Sequence, residues 1–367
     1  MIGPIGEREA AGRLGPAFSL FYFTDSPAEA AESRYRFLLE TVRFGDENGF
    51  AAAWTPERHF HSFGGLYPNP AVLSAALAVT TRNIGIRAGS VVLPLHHPIR
   101  VCEDWSVVDN LSNGRVGISV ASGWHEDDFV FAPDAYDDRR DVTFERLDLV
   151  RRLWRGEPVP VAGPGGRTIE PKLFPRPVQP ELPVWVTSAG SPTTLERAGA
   201  AGANVLASLI GQSLDELAEG IARYRRAREA HGHDPDEGIA TVMVHTYVHE
   251  DDEFVRRATS APLRSYLAAY VRQFADVPGD GGGALDLETQ LDFAYERYVR
   301  FASLIGTPDH CLTMSRRLVE AGADEIACLI DFGLDAETVL ASLALVVELR
   351  ERLAREARPP EVSARRE

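Results

Sequence analysis

The chain has 367 residues, is 44% hydrophobic and 25% charged, and carries a formal net charge of −16. That is the composition of a globular protein with a large core, and the acidic balance argues against a nucleic-acid binder, which shows a basic excess or stripe. Cys102, Cys311 and Cys328 are too few and too widely spaced for a disulfide scaffold and suit a reducing cytoplasm; no run approaches the roughly 18–20 apolar residues of a membrane span.

Residues 1–15, MIGPIGEREAAGRLG, lack the apolar centre of a signal peptide and read as a flexible lead. From there the rhythm is strand, turn, helix. A first strand is predicted over 17–23 and its helix over 33–48, with Tyr35, Leu38, Leu39 and Val42 at helical spacing and Asn48-Gly49 as the stop. The second strand is 51–57 with a helix at 70–80; the third is 84–94 with a helix at 98–112 that ends at Asn113-Gly114. The fourth is 114–123 with a helix at 143–155, and a Gly/Pro-rich excursion at 156–183 reads as a loop or small β-hairpin outside the core. The fifth strand is 184–190 with a helix at 192–201, and the sixth is 204–210. Ser213 and Glu216 form a capping box that opens the next helix. The seventh strand is 239–250; mostly helical sequence follows to about 300, broken by GDGGG at 279–283. A further helix ends at Ala321-Gly322, the eighth strand is 324–333, and the last helix is 335–354.

Eight apolar-centred strands alternating with helices point to a parallel sheet covered on both faces, and eight is the number that closes a TIM (β/α)8 barrel. Residues 16–355 are therefore predicted to form a single α/β barrel domain, with insertions at about 156–183 and 255–300 and a flexible tail at 356–367. A doubly wound open sheet is the alternative, but TDSPAEAAES after the first strand holds no glycine fingerprint.

In a barrel the chemistry belongs at the C-terminal strand ends. Those ends carry Glu57, Arg58, His59 and His61; His96 and His97; Ser122, Gly123, Trp124 and His125; Ser188, Gly190 and Ser191; and His245, which is placed to face a substrate. In TSAGSPTTLERAG, Ser191 sits at a helix N-cap with Pro192 at N1 and Thr194 one turn in. The free N–H groups of that helix start suit a phosphate, although Ser191 can equally do no more than cap its helix. His59 and His61, two apart on a strand, could share a zinc in a metal-dependent hydrolase. Amidohydrolase-type barrels place that pair after the first strand, which here ends FYFTDSP, and no isolated aspartate ends the eighth, although Asp331 is close. No metal is assigned. His61 and one of His96 and His97 read as polar rim residues, and Glu103 and Asp104 as structural.

The order PERHFHSFGGLYPNP, AGSVVLPLHHPIRVCEDWSVVDNLSNGRVGISVASGWHEDDF and VWVTSAGSPTTLERAG resembles the bacterial-luciferase-like flavin monooxygenases, over about residues 16–350. It looks closest to their natural-product-biosynthesis branch, whose members occur alone or embedded in synthases. The resemblance implies a TIM-like barrel that takes FMN as FMNH2 from a separate NAD(P)H:flavin reductase. With O2 the reduced flavin would form a C4a-hydroperoxide that oxygenates a small substrate, free or tethered to a carrier protein. By position, Gly190, Ser191 and Thr194 match the family's phosphate-binding turn. Gly89-Ser90 matches a non-prolyl cis peptide beneath the flavin ring, and Ala121 and Ser122 match positions lining the isoalloxazine, where the luciferase α subunit has cysteine and arginine.

A departure concerns acid–base chemistry. Luciferase has its catalytic histidine where this chain has Arg58, and His59 matches the histidine that follows. A guanidinium is no base near pH 7; it can hold an anionic or carbonyl group, or pair with Glu57. His59, Arg58 and His125 are the catalytic candidates, with Trp124 and Phe60 as pocket walls, and light emission is not expected. GPGGR and GDGGG lie in loops, so NAD(P)H is expected at the reductase. The family also implies a homodimer, and a branch of it that uses F420 supplies an alternative cofactor.

Overall fold

Apolar runs of five to nine residues, each closed by a small or polar residue, set the frame of the chain. The computed structural model describes residues 15–23, 35–275 and 287–357. In chain order it comprises β1 (Ala17–Phe21), α1 (Arg36–Glu47), β2 (Ala52–Thr55), α2 (Pro70–Thr80), β3 (Gly85–Val92), α3 (Pro98–Ser112), β4 (Val116–Ala121) and α4 (Arg139–Arg155). A two-stranded hairpin of β5 (Val161–Ala162) and β6 (Thr168–Ile169) follows. Then come β7 (Val184–Ser188), α5 (Pro192–Ala200), β8 (Asn204–Ser208), α6 (Leu214–Ala230), β9 (Ala240–Val248), α7 (Asp252–Ala275), α8 (Leu287–Phe301), β10 (Leu304–Gly306), α9 (Pro308–Glu320), β11 (Glu325–Leu329) and α10 (Ala336–Glu356).

Strands β9, β11, β1, β2, β3, β4, β7 and β8 lie side by side in that order, all parallel, and β8 pairs back onto β9 to close the ring. This is the eight-stranded TIM-type barrel that the alternation of strands and helices predicts. Every residue of β3 and of β9 is buried, as expected of parallel strands with an interior on one side and helices on the other. Local chemistry fixes the connections. The Asn69 side chain accepts from the Ala71 and Val72 amides ahead of Pro70, Asn113 ends α3 in the left-handed region at φ 57°, and Ser213 and Glu216 make the reciprocal capping box.

The barrel interior is polar at one level. Arg87 Nη1 donates to Glu325 Oε2 at 2.7 Å, and its guanidinium lies 5.0 Å from the Trp54 ring and 4.3 Å from the Trp185 ring. Ser19 Oγ and Trp54 Nε1 donate to Glu325 Oε1 at 2.6 and 3.1 Å, and Trp185 Nε1 donates to Thr241 Oγ1 at 3.1 Å. Burial pushes the Glu325 carboxyl up, but Arg87 and these donors outweigh it and hold the group below its ordinary range.

The structure departs from the sequence-based expectation in three places. β10 pairs with the last residues of β9, from Leu304 opposite Thr246 to Gly306 opposite Val248, beyond the stretch that β8 and β11 use. α4 starts at Arg139, four residues before the expected position. The strand expected over 51–57 ends at Thr55, which changes the geometry of the residues that follow. GDGGG and most of the lead and tail lie outside the described residues. Among those described, the three cysteines are buried and free, and no helix is long and apolar enough to cross a membrane.

Candidate functional site at the C-terminal rim

Because β2 stops at Thr55, residues 56–69 form a loop, and Phe60 takes a left-handed conformation at φ 59°. His59 and His61 therefore do not share a strand face, and they turn to different partners. His59 Nε2 lies 2.8 Å from Glu57 Oε1, and His61 Nε2 lies 3.4 Å from His125 Nδ1. The zinc arrangement that a strand would give this pair is not formed.

Glu57 is the hub. The same Oε1 lies 2.6 Å from His96 Nε2, and Oε2 accepts from the Val92 amide at 2.8 Å. Its side chain has no solvent exposure, while the imidazoles of His59 and His96 are 9% and 35% exposed. The carboxylate is thus buried between one nearly enclosed histidine and one at the surface. Burial drives the Glu57 pKa up, but the hydrogen bonds from His59, His96 and Val92 outweigh it and leave it below the ordinary value. Burial lowers the His96 pKa, and Glu57 outweighs that and raises it. His96 is therefore no idle rim residue. It follows β3, the barrel neighbour of β2, and 39 positions of sequence separate it from Glu57.

Arg58 does not take the Glu57 carboxylate. It is buried, and its guanidinium lies 5.2 Å from Phe23, 5.6 Å from Trp124 and 5.9 Å from Phe63. Trp124 thus walls this region, whereas Phe60 is 62% exposed and stacks on Phe131 at 5.6 Å. Asp331 at the end of β11 accepts from the Phe23 amide and from Tyr67 Oη.

Gly89-Ser90 is a non-prolyl cis peptide. Ser90 Oγ hydrogen-bonds Thr187 Oγ1, which also lies 2.7 Å from Ser119 Oγ. This row of hydroxyls crosses β3, β4 and β7 and places the Gly89-Ser90 peptide of β3 beside the end of β7. Two residues beyond β7, Gly190 takes φ +91°, and Ser191 Oγ caps α5 by accepting the Thr194 amide at 3.4 Å. Gly190 and Ser191 are exposed and Thr194 partly so. The buried Ser188 Oγ has no hydrogen-bond partner among the described residues and borders a small cavity shared with Gly190, Leu195 and Gln212. Ala121 and Ser122, at the end of β4, are half-buried.

His245 lies inside the barrel, on the same β9 face as Thr241. Its Nδ1 is 2.8 Å from Tyr298 Oη, with Tyr266 and Phe332 packed on the ring at 4.3 and 5.4 Å. Complete burial pushes its pKa down to about 3. The Ser119–Thr187 pair was not legible as part of the site, because both residues stand inside apolar strand runs and only the register of β4 against β7 brings them together.

The chain is similar along most of its length to known proteins. The chain is 26% identical over 342 residues to the oxygenase component of the flavin-dependent trigonelline monooxygenase of Acinetobacter baylyi, covering 90% of this chain and 93% of that one. It is 31% identical over 293 residues to the 4-hydroxyprotoasukamycin monooxygenase of Streptomyces nodosus subsp. asukaensis, covering 77% and 76%. The crystal structure of the monooxygenase RslO1 from Streptomyces bottropensis superposes with a TM-score of 0.77 at 25% identity, over 90% of this chain and 98% of that one. The model of the luciferase-like monooxygenase family matches residues 17–325, and the chain belongs to that family.

Proposed function

We propose that the chain is the oxygenase component of a two-component monooxygenase. It would take FMNH2 from a separate NAD(P)H:flavin reductase and use it with O2 to oxygenate a small organic substrate in cytoplasmic natural-product biosynthesis. The observation that supports this reading is the Ser90–Thr187 contact, which holds the Gly89-Ser90 peptide of β3 near β7, the strand that leads into α5. The residues there suit a flavin mononucleotide. Ser191, Thr194 and the glycine at 190 offer hydroxyls and N–H groups to a phosphate at the positive end of a helix, and the Ser188 hydroxyl, which has no hydrogen-bond partner among the described residues, borders the same small cavity as Gly190. The Gly89-Ser90 backbone, with Ala121 and Ser122 across β4, presents small residues to a flat ring.

Bound reduced flavin supplies the electrons for O2 chemistry, and the protein supplies orientation and exclusion of water. His59, held at Nε2 by Glu57, is the acid–base candidate. Arg58, enclosed by aromatic rings, offers a positive charge to an anionic or carbonyl group, and His125 offers a second imidazole. The substrate can be free or carrier-tethered. Val72 and Val79 of α2 and Val107 and Leu111 of the adjacent α3 are exposed apolar residues on one side of the barrel, which supports a homodimer joined there.

Anaerobic titration with reduced FMN tests the proposal. Saturable binding is expected, weakened by Ser191→Ala, and admission of O2 should give a long-lived absorbance that delays the return of oxidised FMN. Tight binding of reduced F420 instead, or no binding of either cofactor, refutes it.

A further inference from the structure

The loop after β2 and the loop after β4 meet at one point. His61 Nε2 faces His125 Nδ1 at 3.4 Å, with ring centroids 4.2 Å apart. That spacing is long for a hydrogen bond between two imidazoles, where about 2.9–3.0 Å is usual. The nitrogen separation is close to the edge of a tetrahedron around a zinc ion, about 3.3 Å for Zn–N bonds of about 2.0–2.1 Å; the rings, packed edge to face, need to turn apart for both nitrogens to aim at one ion. Asp127 adds a carboxylate, and one ligand atom from each of the three residues lies within 4.8 Å of the other two. Asp127 is exposed, so its side chain is free to swing inward, and solvent can supply a fourth ligand. Next to it Asp128 is only 9% exposed, and its Oδ1 has no hydrogen-bond partner among the described residues. It is a buried carboxylate in the field of His59, His125, Arg58 and His61.

We infer that His61, His125 and Asp127 form a binding site for a zinc-like divalent transition ion that clasps the β2–α2 loop to the β4–α4 loop. The donor set of two imidazoles and a carboxylate is that of a three-ligand zinc site with an open position. Asp128 adds a second carboxylate to the electrostatic field at His61 and His125. The histidine pairing is the reverse of what the sequence suggests: His59 belongs to Glu57, and the partner of His61 comes from a different strand end. With the ion bound, His125 Nδ1 would be occupied and the rim beside Trp124 fixed. Neither flavin binding nor any turnover is needed for the inference to hold.

The test uses the whole, tag-free protein. Zinc should bind saturably at one equivalent by calorimetry, and cobalt(II) should give the intense visible absorption of a tetrahedral ion. His61→Ala and His125→Ala should each weaken binding at least about tenfold, Asp127→Asn should weaken it less, and His59→Gln should leave it in place. Circular dichroism confirms that each variant is folded. Absence of saturable binding, an octahedral cobalt spectrum, or binding that survives His61→Ala and His125→Ala but not His59→Gln overturns the inference.

Discussion

Replacing His245 with phenylalanine should make the protein less sensitive to acid. In the native state burial holds the imidazole pKa at about 3, and the groups packed on it, Tyr298, Tyr266 and Phe332, bring no charge. In the unfolded chain the same imidazole titrates near about 6.5. Below that value the unfolded chain binds a proton that the folded chain refuses until about pH 3. The His245 contribution to stability is therefore intact above about pH 6.5 and is lost progressively as pH falls. The slope is about 1.36 kcal/mol per pH unit, so between pH 7 and pH 5 this one residue should remove about 2 kcal/mol. Urea unfolding of wild type and His245→Phe at both pH values measures it, because carboxylates that titrate in both proteins cancel in the difference of differences. Equal losses in the two proteins, or a larger loss in the variant, would refute the reasoning.

Glu57→Gln should lower the His96 titration midpoint, because the carboxylate that raises it is gone and burial remains; ring resonances followed by NMR across pH give the midpoint, and an unchanged value would sink the hub assignment. Glu325→Gln removes the carboxylate facing Arg87 in the barrel and should cost about 3–5 kcal/mol in denaturant titration, whereas Glu325→Leu combined with Arg87→Met should cost much less. A cost below about 1 kcal/mol for Glu325→Gln would mean that the ion pair does not hold the interior together.

The barrel was legible because each strand is a continuous apolar run and each helix a periodic one, and those patterns persist whatever the register. The helix start at Ser191-Pro192 was equally plain, since capping is local chemistry. What escaped was everything that depends on which strand lies beside which. Glu57 and His96 meet because β2 and β3 are neighbours, and Ser90, Thr187 and Ser119 align through the register of β3, β4 and β7. β10 escaped for another reason: three residues are too few to display a period. The possibility that His59 and His61 point the same way, as on a strand, does not hold, because β2 ends at Thr55 and Phe60 between them is left-handed.

The Trp54–Arg87–Trp185 layer has a consequence for traffic. Side chains that stack and hydrogen-bond across the axis block passage through the barrel at this level. Whatever enters must leave the way it came, so a molecule seated deep against Gly89-Ser90 departs only after anything lying above it.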